Sequence, residues 1–221
     1  MSGSSTTKPA PRFGVAHWLG EGIDYEWALE LQRHLAGRRA GGEIDDTLLL
    51  LTHAPVYTAG RRSPPEHVLA ELRAPLVETD RGGLITYHGP GQLVGYPIVS
   101  LSELGLGPKR YVAAIESAII AGLREFDVEA HCEEGLTGVW TAAGKIAAIG
   151  VRVARGATTH GFALNVYTDL SAYEAIVPCG IAGCPVTSMS ELLRAPLDLA
   201  PIGRAVADAL GRELGVAWRW G

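Results

Sequence analysis

Four consecutive leucines, Leu48 to Leu51 within the run Thr47–Thr52, narrow the possible folds more than any other feature of this chain. Successive side chains of a strand point to opposite faces, so this strand has no face to offer water. Such a segment belongs inside a sheet that is covered on both sides. Two apolar stripes at helical spacing predict the covering layers. One starts after the capping residue Asp24 and runs to about Arg39, with Trp27, Leu31 and Leu35 in line and Gly41-Gly42 to end it. The other runs from Pro108 to Phe126, with proline in its first turn and Val112, Ile115, Ile119, Leu123 and Phe126 on one side.

Strand-like segments lie between these stripes. They are Phe13–Leu19, Leu76–Glu78, Gln92–Leu101 (broken by Gly95 and Pro97), a hairpin of 138–140 and 145–153, and its antiparallel neighbour His160–Val166. His53 to Arg62, with Pro55 and Gly60, reads as a loop. A short helix over Asp169–Ile176, the capping box Ser188-Met-Ser-Glu191 and a helix over Pro201–Leu214 complete the series, and Trp218 and Trp220 are expected to cover core. Strands and helices mixed in this way predict an α/β or α+β domain, a mixed β-sheet flanked by helices.

Composition narrows the function. The chain has 221 residues, fitting one domain over 13–221 after a polar, disordered leader at 1–12. Its net charge of −5 argues against a nucleic-acid protein, because phosphate contacts draw on a basic surplus. No apolar run reaches the roughly 18 residues that would span a bilayer, and no secretory h-region is present. Three cysteines without C-x-x-C spacing suit a reducing, cytoplasmic setting. No metal set is expected: His131-Cys132-Glu133-Glu134 has no second cluster to complete it.

The most unusual passage is Arg81-Gly-Gly-Leu-Ile-Thr-Tyr-His88-Gly-Pro-Gly91. Glycines packed around strand formers point to backbone that a ligand approaches closely, or to tight turns. Cys179 stands between Pro178 and Gly180 in a turn, where a thiol can reach a substrate. At the ordinary thiol pKa of about 8.5 few such groups are ionised at neutral pH, so a nucleophile there needs a base or a cation beside it. Lys145 precedes the apolar run Ile146–Val151. Lysines in that position ordinarily snorkel to water, but one held against the strand loses solvation and becomes a usable base. The residues alone leave both readings open for Cys179 and for Lys145, and do not select a partner among His53, His88 and His160.

These stretches together resemble the octanoyl-[acyl-carrier-protein]:protein octanoyltransferases of lipoate biosynthesis. The matching segments are His53–Arg61, Arg81–Leu93, Gly138-Val-Trp140, Lys145–Gly150, His160–Asn165 and Pro178-Cys-Gly-Ile181, in the family's order. The resemblance implies a biotin/lipoate protein ligase-like fold with the acyl chain in a tunnel. It also implies a nucleophile at Cys179, which takes octanoyl as a thioester, and a general acid/base at Lys145. Substrate contacts are implied for Arg81, Gly82, Gly83, Leu84, Ile85, Thr86, Tyr87 and His88, for Ala148, Ile149 and Gly150, and for Gly161, Phe162 and Ala163. The implied partners are octanoyl-acyl carrier protein as donor and, as acceptors, the lipoyl domains of 2-oxoacid dehydrogenase E2 subunits and the glycine cleavage H protein. No cofactor, nucleic acid or membrane is implied, and a monomer is expected. Arg61, Arg62, Lys109 and Arg110 are expected to dock the acidic carriers. The competing readings are an ATP-dependent lipoate or biotin protein ligase, a non-catalytic carrier-binding protein, and a cysteine thioesterase.

Overall fold

The computed structural model describes residues 12–178 and 183–221, so residues 1–11 of the expected leader, and Cys179 itself, lie outside the described residues, while Arg12, expected in the leader, begins a strand. The chain forms β1 (Arg12–Trp18), α1 (Tyr25–Ala40), β2 (Asp46–Leu51), β3 (Val56–Ala59), β4 (Leu76–Glu78), β5 (Thr86–His88) and β6 (Gln92–Ile98). It continues as α2 (Leu101–Leu104), α3 (Pro108–Arg124), β7 (His131–Glu133), β8 (Leu136–Thr141), β9 (Gly144–Ala154), β10 (Ala157–Asn165), α4 (Met189–Leu193), α5 (Leu199–Leu214) and β11 (Val216–Trp220). Eight strands make one mixed sheet in the order β11-β1-β2-β6-β10-β9-β8-β7. Within it β1 runs parallel to β2 and β11, and the other neighbours are antiparallel. A small sheet, β4-β3-β5, stands beside it.

The leucine run behaves as its sequence requires. β2 lies between β1 and β6, fully buried. Leu48 and Leu50 face the large core shared with Ile115, Ile119, Ile202 and Val206 from α3 and α5. Leu49 and Leu51 face the opposite cluster, built on Ala28, Val94 and Ile98. Burying a leucine contributes about 1.5–3 kcal/mol, so neither face can be stripped of its helix without exposing two.

Helix α1 is capped by Asp24 as expected, its carboxylate accepting from Trp27 N at 2.8 Å. The buried face is not the expected one. Trp27 is 51% exposed and Leu31 and Leu35 are only half-buried, while Tyr25, Ala28, Leu29, Gln32 and Arg39 are buried. Polar contacts set this rotation. Gln32 Oε1 accepts from the His160 backbone N–H at 2.7 Å. Arg39 donates to Asp46 Oδ1 at 2.7 Å and through both terminal nitrogens to Glu103. Arg12 completes that network, binding Asp46 at 2.6 Å and Glu103 at 2.8 Å, and so ties β1, α1, β2 and α2 together.

Other expectations change too. Val56–Ala59 is a strand, not loop, because Pro55 only marks its start and Val-Tyr-Thr pairs readily with β5. β6 runs unbroken through Gly95 and Pro97. The proline is tolerated because pairing with β10 ends at Gly95–Phe162, next to His160, which adopts a left-handed φ of 58°. Helix α5 starts at Leu199, where Asp198 accepts from Ala200 N. The terminal tryptophans do pack on core, but within a strand that no alternation announced: β11. Among the described residues no helix is long and apolar enough to cross a membrane.

Candidate active site

A cavity of about 390 Å³ opens where the glycine-rich segment lies across β9 and β10. The segment can lie that close because Gly82 N donates to Val151 O at 3.0 Å and position 150 carries no side chain: a Cβ there would sit 2.8 Å from Gly82 O. Arg81, Gly82, Gly83, Leu84, Ile85, Thr86 and His88 line one wall. Lys145, Ala148, Ile149, Gly150, Gly161, Phe162 and Ala163 line the other. Tyr87 is the one expected contact that turns away. Alternation in β5 sends Thr86 and His88 to the cavity and Tyr87 to the opposite side, against Tyr57 and Tyr173.

The inner part of the cavity is a packed group of rings that sequence reasoning missed. Tyr25 stacks on His88 with centroids 6.0 Å apart, and His53 contacts Tyr25, His88 and Tyr96 at 5.1–5.8 Å. The polar tips of His53, His88 and Tyr96 find partners. His53 Nδ1 lies 2.8 Å from Ile23 O, an acceptor only, so Nδ1 carries the proton and Nε2 accepts from Tyr96 OH at 2.7 Å. His88 Nδ1 donates to Gln92 Oε1 at 2.7 Å, and Gln92 Nε2 donates to Tyr87 O, Asn165 and Tyr173. Arg81 Nη2 donates to both oxygens of Thr58, at 2.7 and 2.8 Å.

Burial holds these rings neutral. It pushes His53 and His160 down to about 4, against the opposing hydrogen bonds to Ile23 and Asp80, and it takes His88 well below its ordinary value. Burial likewise pushes Tyr25 up to about 12 and Tyr96 well above its ordinary value. The rings therefore present uncharged faces, with the imidazoles and Tyr96 hydrogen-bonded within the protein, which suits an apolar ligand segment. Spacing alone could not show this, since Tyr25, His88 and Tyr96 come from three separate elements and His53 from the segment between β2 and β3.

Lys145 is 4% exposed, and its ammonium donates to Thr137 O at 2.9 Å and lies 5.2 Å from the centre of the Trp140 ring. It does not snorkel. Its own backbone is fastened on both sides to the chain just beyond Cys184: Lys145 N donates to Pro185 O at 2.8 Å and Thr187 N donates to Lys145 O at 2.9 Å. Cys179 lies outside the described residues. Cys184 is buried, and Cys132 is exposed on the edge strand β7, beside a His131–Glu133 pair. Among the described residues no three histidine, cysteine or acidic side chains gather as a metal set. Arg61, Arg62, Lys109 and Arg110 are all exposed; Arg62 reaches the cavity, and Lys109 lies one helical turn before Val112, which also lines it.

Residues 24–211 match the family described as the lipoyl protein ligase A/B catalytic domain. The octanoyltransferase of Geobacter metallireducens is 48% identical over 185 residues, covering 84% of this chain and 86% of that protein. That of Chloroflexus aggregans is 51% identical over 196 residues, covering 84% and 89%. The chain belongs to the octanoyltransferases. This octanoyltransferase is an acyltransferase of protein lipoylation. Its fold is that of the lipoate and biotin ligases. Lipoate-protein ligase A bound with ATP superposes with a TM-score of 0.72 over 95% of this chain and 88% of the other, at 16% identity. Biotin protein ligase from Aquifex aeolicus gives 0.55 over 91% and 69%, at 13% identity.

Proposed function

We propose that residues 13–221 form one catalytic domain that moves octanoyl from octanoyl-acyl carrier protein to a lysine of a lipoyl domain through a thioester on Cys179. In the first step the Cys179 sulfur attacks the carrier thioester, the carbon–sulfur bond to the carrier's thiol breaks, and that thiol leaves with a proton. In the second the acceptor lysine's amine attacks the enzyme thioester, and Cys179 leaves as a thiol. Thioester exchange is nearly balanced and amide formation is downhill, so neither step calls for ATP. Lys145 is the proton carrier in both. Backbone N–H groups of the glycine-rich segment or near Cys179 hold the oxyanion, a contact worth roughly 3 kcal/mol.

One observation carries the reading. A buried lysine at the cavity wall is hydrogen-bonded, through its own backbone, to Pro185 and Thr187, six and eight residues beyond Cys179. The acyl chain runs from there along Ala148–Gly150 toward the neutral ring floor, each buried methylene contributing about 0.8 kcal/mol. The acceptors are the lipoyl domains of 2-oxoacid dehydrogenase E2 subunits and of glycine cleavage H protein, the enzyme acts as a monomer, and the compartment is the cytoplasm. An archaeal relative in fold, a lipoate protein ligase from Thermoplasma acidophilum, has been described together with its E2 lipoyl domain (TM-score 0.69, 18% identity). Charge reversal at Arg62 and Lys109 should slow carrier association and flatten its salt dependence; unchanged kinetics would move the docking patch elsewhere.

The test is intact-mass spectrometry after mixing the enzyme with octanoyl-acyl carrier protein without ATP. A single octanoyl adduct that passes to added lipoyl domain is expected, with no thioester on Cys179→Ser. An unmodified wild-type enzyme that nonetheless transfers octanoyl, or transfer that requires ATP, refutes the thioester route.

A further inference from the structure

The carbonyl that receives the Lys145 ammonium belongs to Thr137, and the N–H of the same peptide unit belongs to Gly138. That N–H donates to Glu116 Oε1 at 2.9 Å. The two groups are held in one plane by the amide bond, so whatever orients one orients the other. We propose that Glu116 is a positioning residue for Lys145, acting through the Thr137–Gly138 peptide. This rests on the reading of Lys145 as the proton carrier for Cys179.

The sheet alone does not hold this peptide. The β8–β9 register shifts between Val139 and Trp140, immediately beyond it, and Gly138 has a φ of 131°, so no side chain restricts its rotation. Helix α3 supplies the constraint instead. Val112 lines the cavity, and Glu116 lies one turn further along the same face, bringing a carboxylate to the outer side of β8. A charged acceptor on the N–H polarises the amide and makes the Thr137 oxygen a better acceptor for an ammonium. Among the described residues Cys132 from β7 also reaches Glu116, its thiol pushed up by burial and by the Glu116 charge and hydrogen bond. The Cys132 contact leaves the Gly138 bond intact, because a carboxylate has two oxygens.

A purely structural tether between α3 and β8 would give the same hydrogen bond, so the test must read the lysine. Full-length Glu116→Ala and Glu116→Gln are compared with wild type, with Cys132→Ser to remove the second contact. The measurements are kcat and KM for octanoyl-acyl carrier protein, the thermal midpoint, and iodoacetamide alkylation of Cys179 against pH, resolved by peptide mass. Glu116→Ala should lower kcat by about 10- to 100-fold, the range that loss of a positioning contact costs, with KM within twofold. Its Cys179 alkylation midpoint should move to higher pH. Glu116→Gln keeps an acceptor for the Gly138 N–H and should recover most of kcat, and Cys132→Ser should match wild type. A Glu116→Ala enzyme with wild-type kcat and alkylation midpoint overturns the proposal, as does a loss of kcat shared equally by Gln and Ala and tracking their thermal midpoints. Failure of the underlying mechanism looks different: Cys179→Ser or Lys145→Met would then still transfer octanoyl.

Discussion

Replacing Gly138 with alanine tests the lysine's seat directly. A Cβ built there lies 2.5 Å from Lys145 Cε, 3.0 Å from Nζ and 2.7 Å from Ala147 O. Carbon contacts relax at about 3.5–4.0 Å. The Ala147 carbonyl is part of the sheet, so the lysine side chain must give way, by on the order of 1 Å. A displacement of that size in a reacting group costs about 100-fold in rate, or roughly 2.7 kcal/mol of transition-state stabilisation. The left-handed φ adds a separate cost to stability of about 1–3 kcal/mol, which for a domain of this size lowers Tm by roughly 2–12 °C. The two costs separate against Gly105→Ala, where φ is also positive, at 64°, but nothing lies within 4 Å of the new methyl. Rapid-quench intact-mass measurement of single-turnover acylation is the assay. Gly138→Ala should acylate about 100-fold more slowly at saturating carrier, and Gly105→Ala should lose stability alone. Acylation within threefold of wild type in a folded Gly138→Ala enzyme would refute the idea that Lys145 must sit where it does.

Other outcomes follow from the same geometry. His53 and His160 titrate near 4 in the folded enzyme and His88 is held well below its ordinary value, while all three titrate near 6.5 when unfolded, so the unfolded chain binds up to three more protons below that value. Their contribution is present above pH 6.5 and is lost on acidification toward 4, at up to about 4.1 kcal/mol per pH unit; urea midpoints from pH 7.5 to 5 should show it, and His53→Gln should lower the slope by about a third. A slope unchanged in that variant would mean that His53 does not titrate as its burial requires. Asp46→Ala removes one of the two carboxylates that hold the 5%-exposed Arg39, which keeps its bonds to Glu103, and should cost about 1.5–3 kcal/mol in urea unfolding, leaving acyl transfer per folded molecule intact; a loss under about 0.5 kcal/mol would show the Asp46 contacts to be dispensable. On the proposed acyl path Ala148→Leu fills the cavity wall, so hexanoyl carrier should be favoured over octanoyl by about 10- to 200-fold in kcat/KM relative to wild type. An unchanged preference would place the chain elsewhere in the cavity.

Local chemistry was legible in the sequence wherever a short-range rule governs it. Leu48–Leu51 demanded a doubly covered strand, Asp24 and Ser188 announced caps, and the glycine spacing marked the segment that lies closest to β9. These follow from chain geometry and need no knowledge of distant residues. The lining residues Ala148–Gly150 and Gly161–Ala163 were expected from resemblance, and the fold brings them to one wall. What the sequence could not supply was every feature set by a partner far along the chain. Gln32 and Arg39, not the leucine stripe, fix the rotation of α1, because their partners His160, Asp46 and Glu103 come from other elements. Pro97 sits inside a central strand only because β10 turns aside at His160. The neutral floor of Tyr25, His88 and Tyr96, backed by His53, exists only once distant segments converge and exclude water, since desolvation has no sequence signature. The seat of Lys145 is likewise tertiary: Thr137 and Gly138 come from the neighbouring strand and Pro185 from far along the chain, and only the packed sheet turns a lysine that would ordinarily reach for water back into the protein.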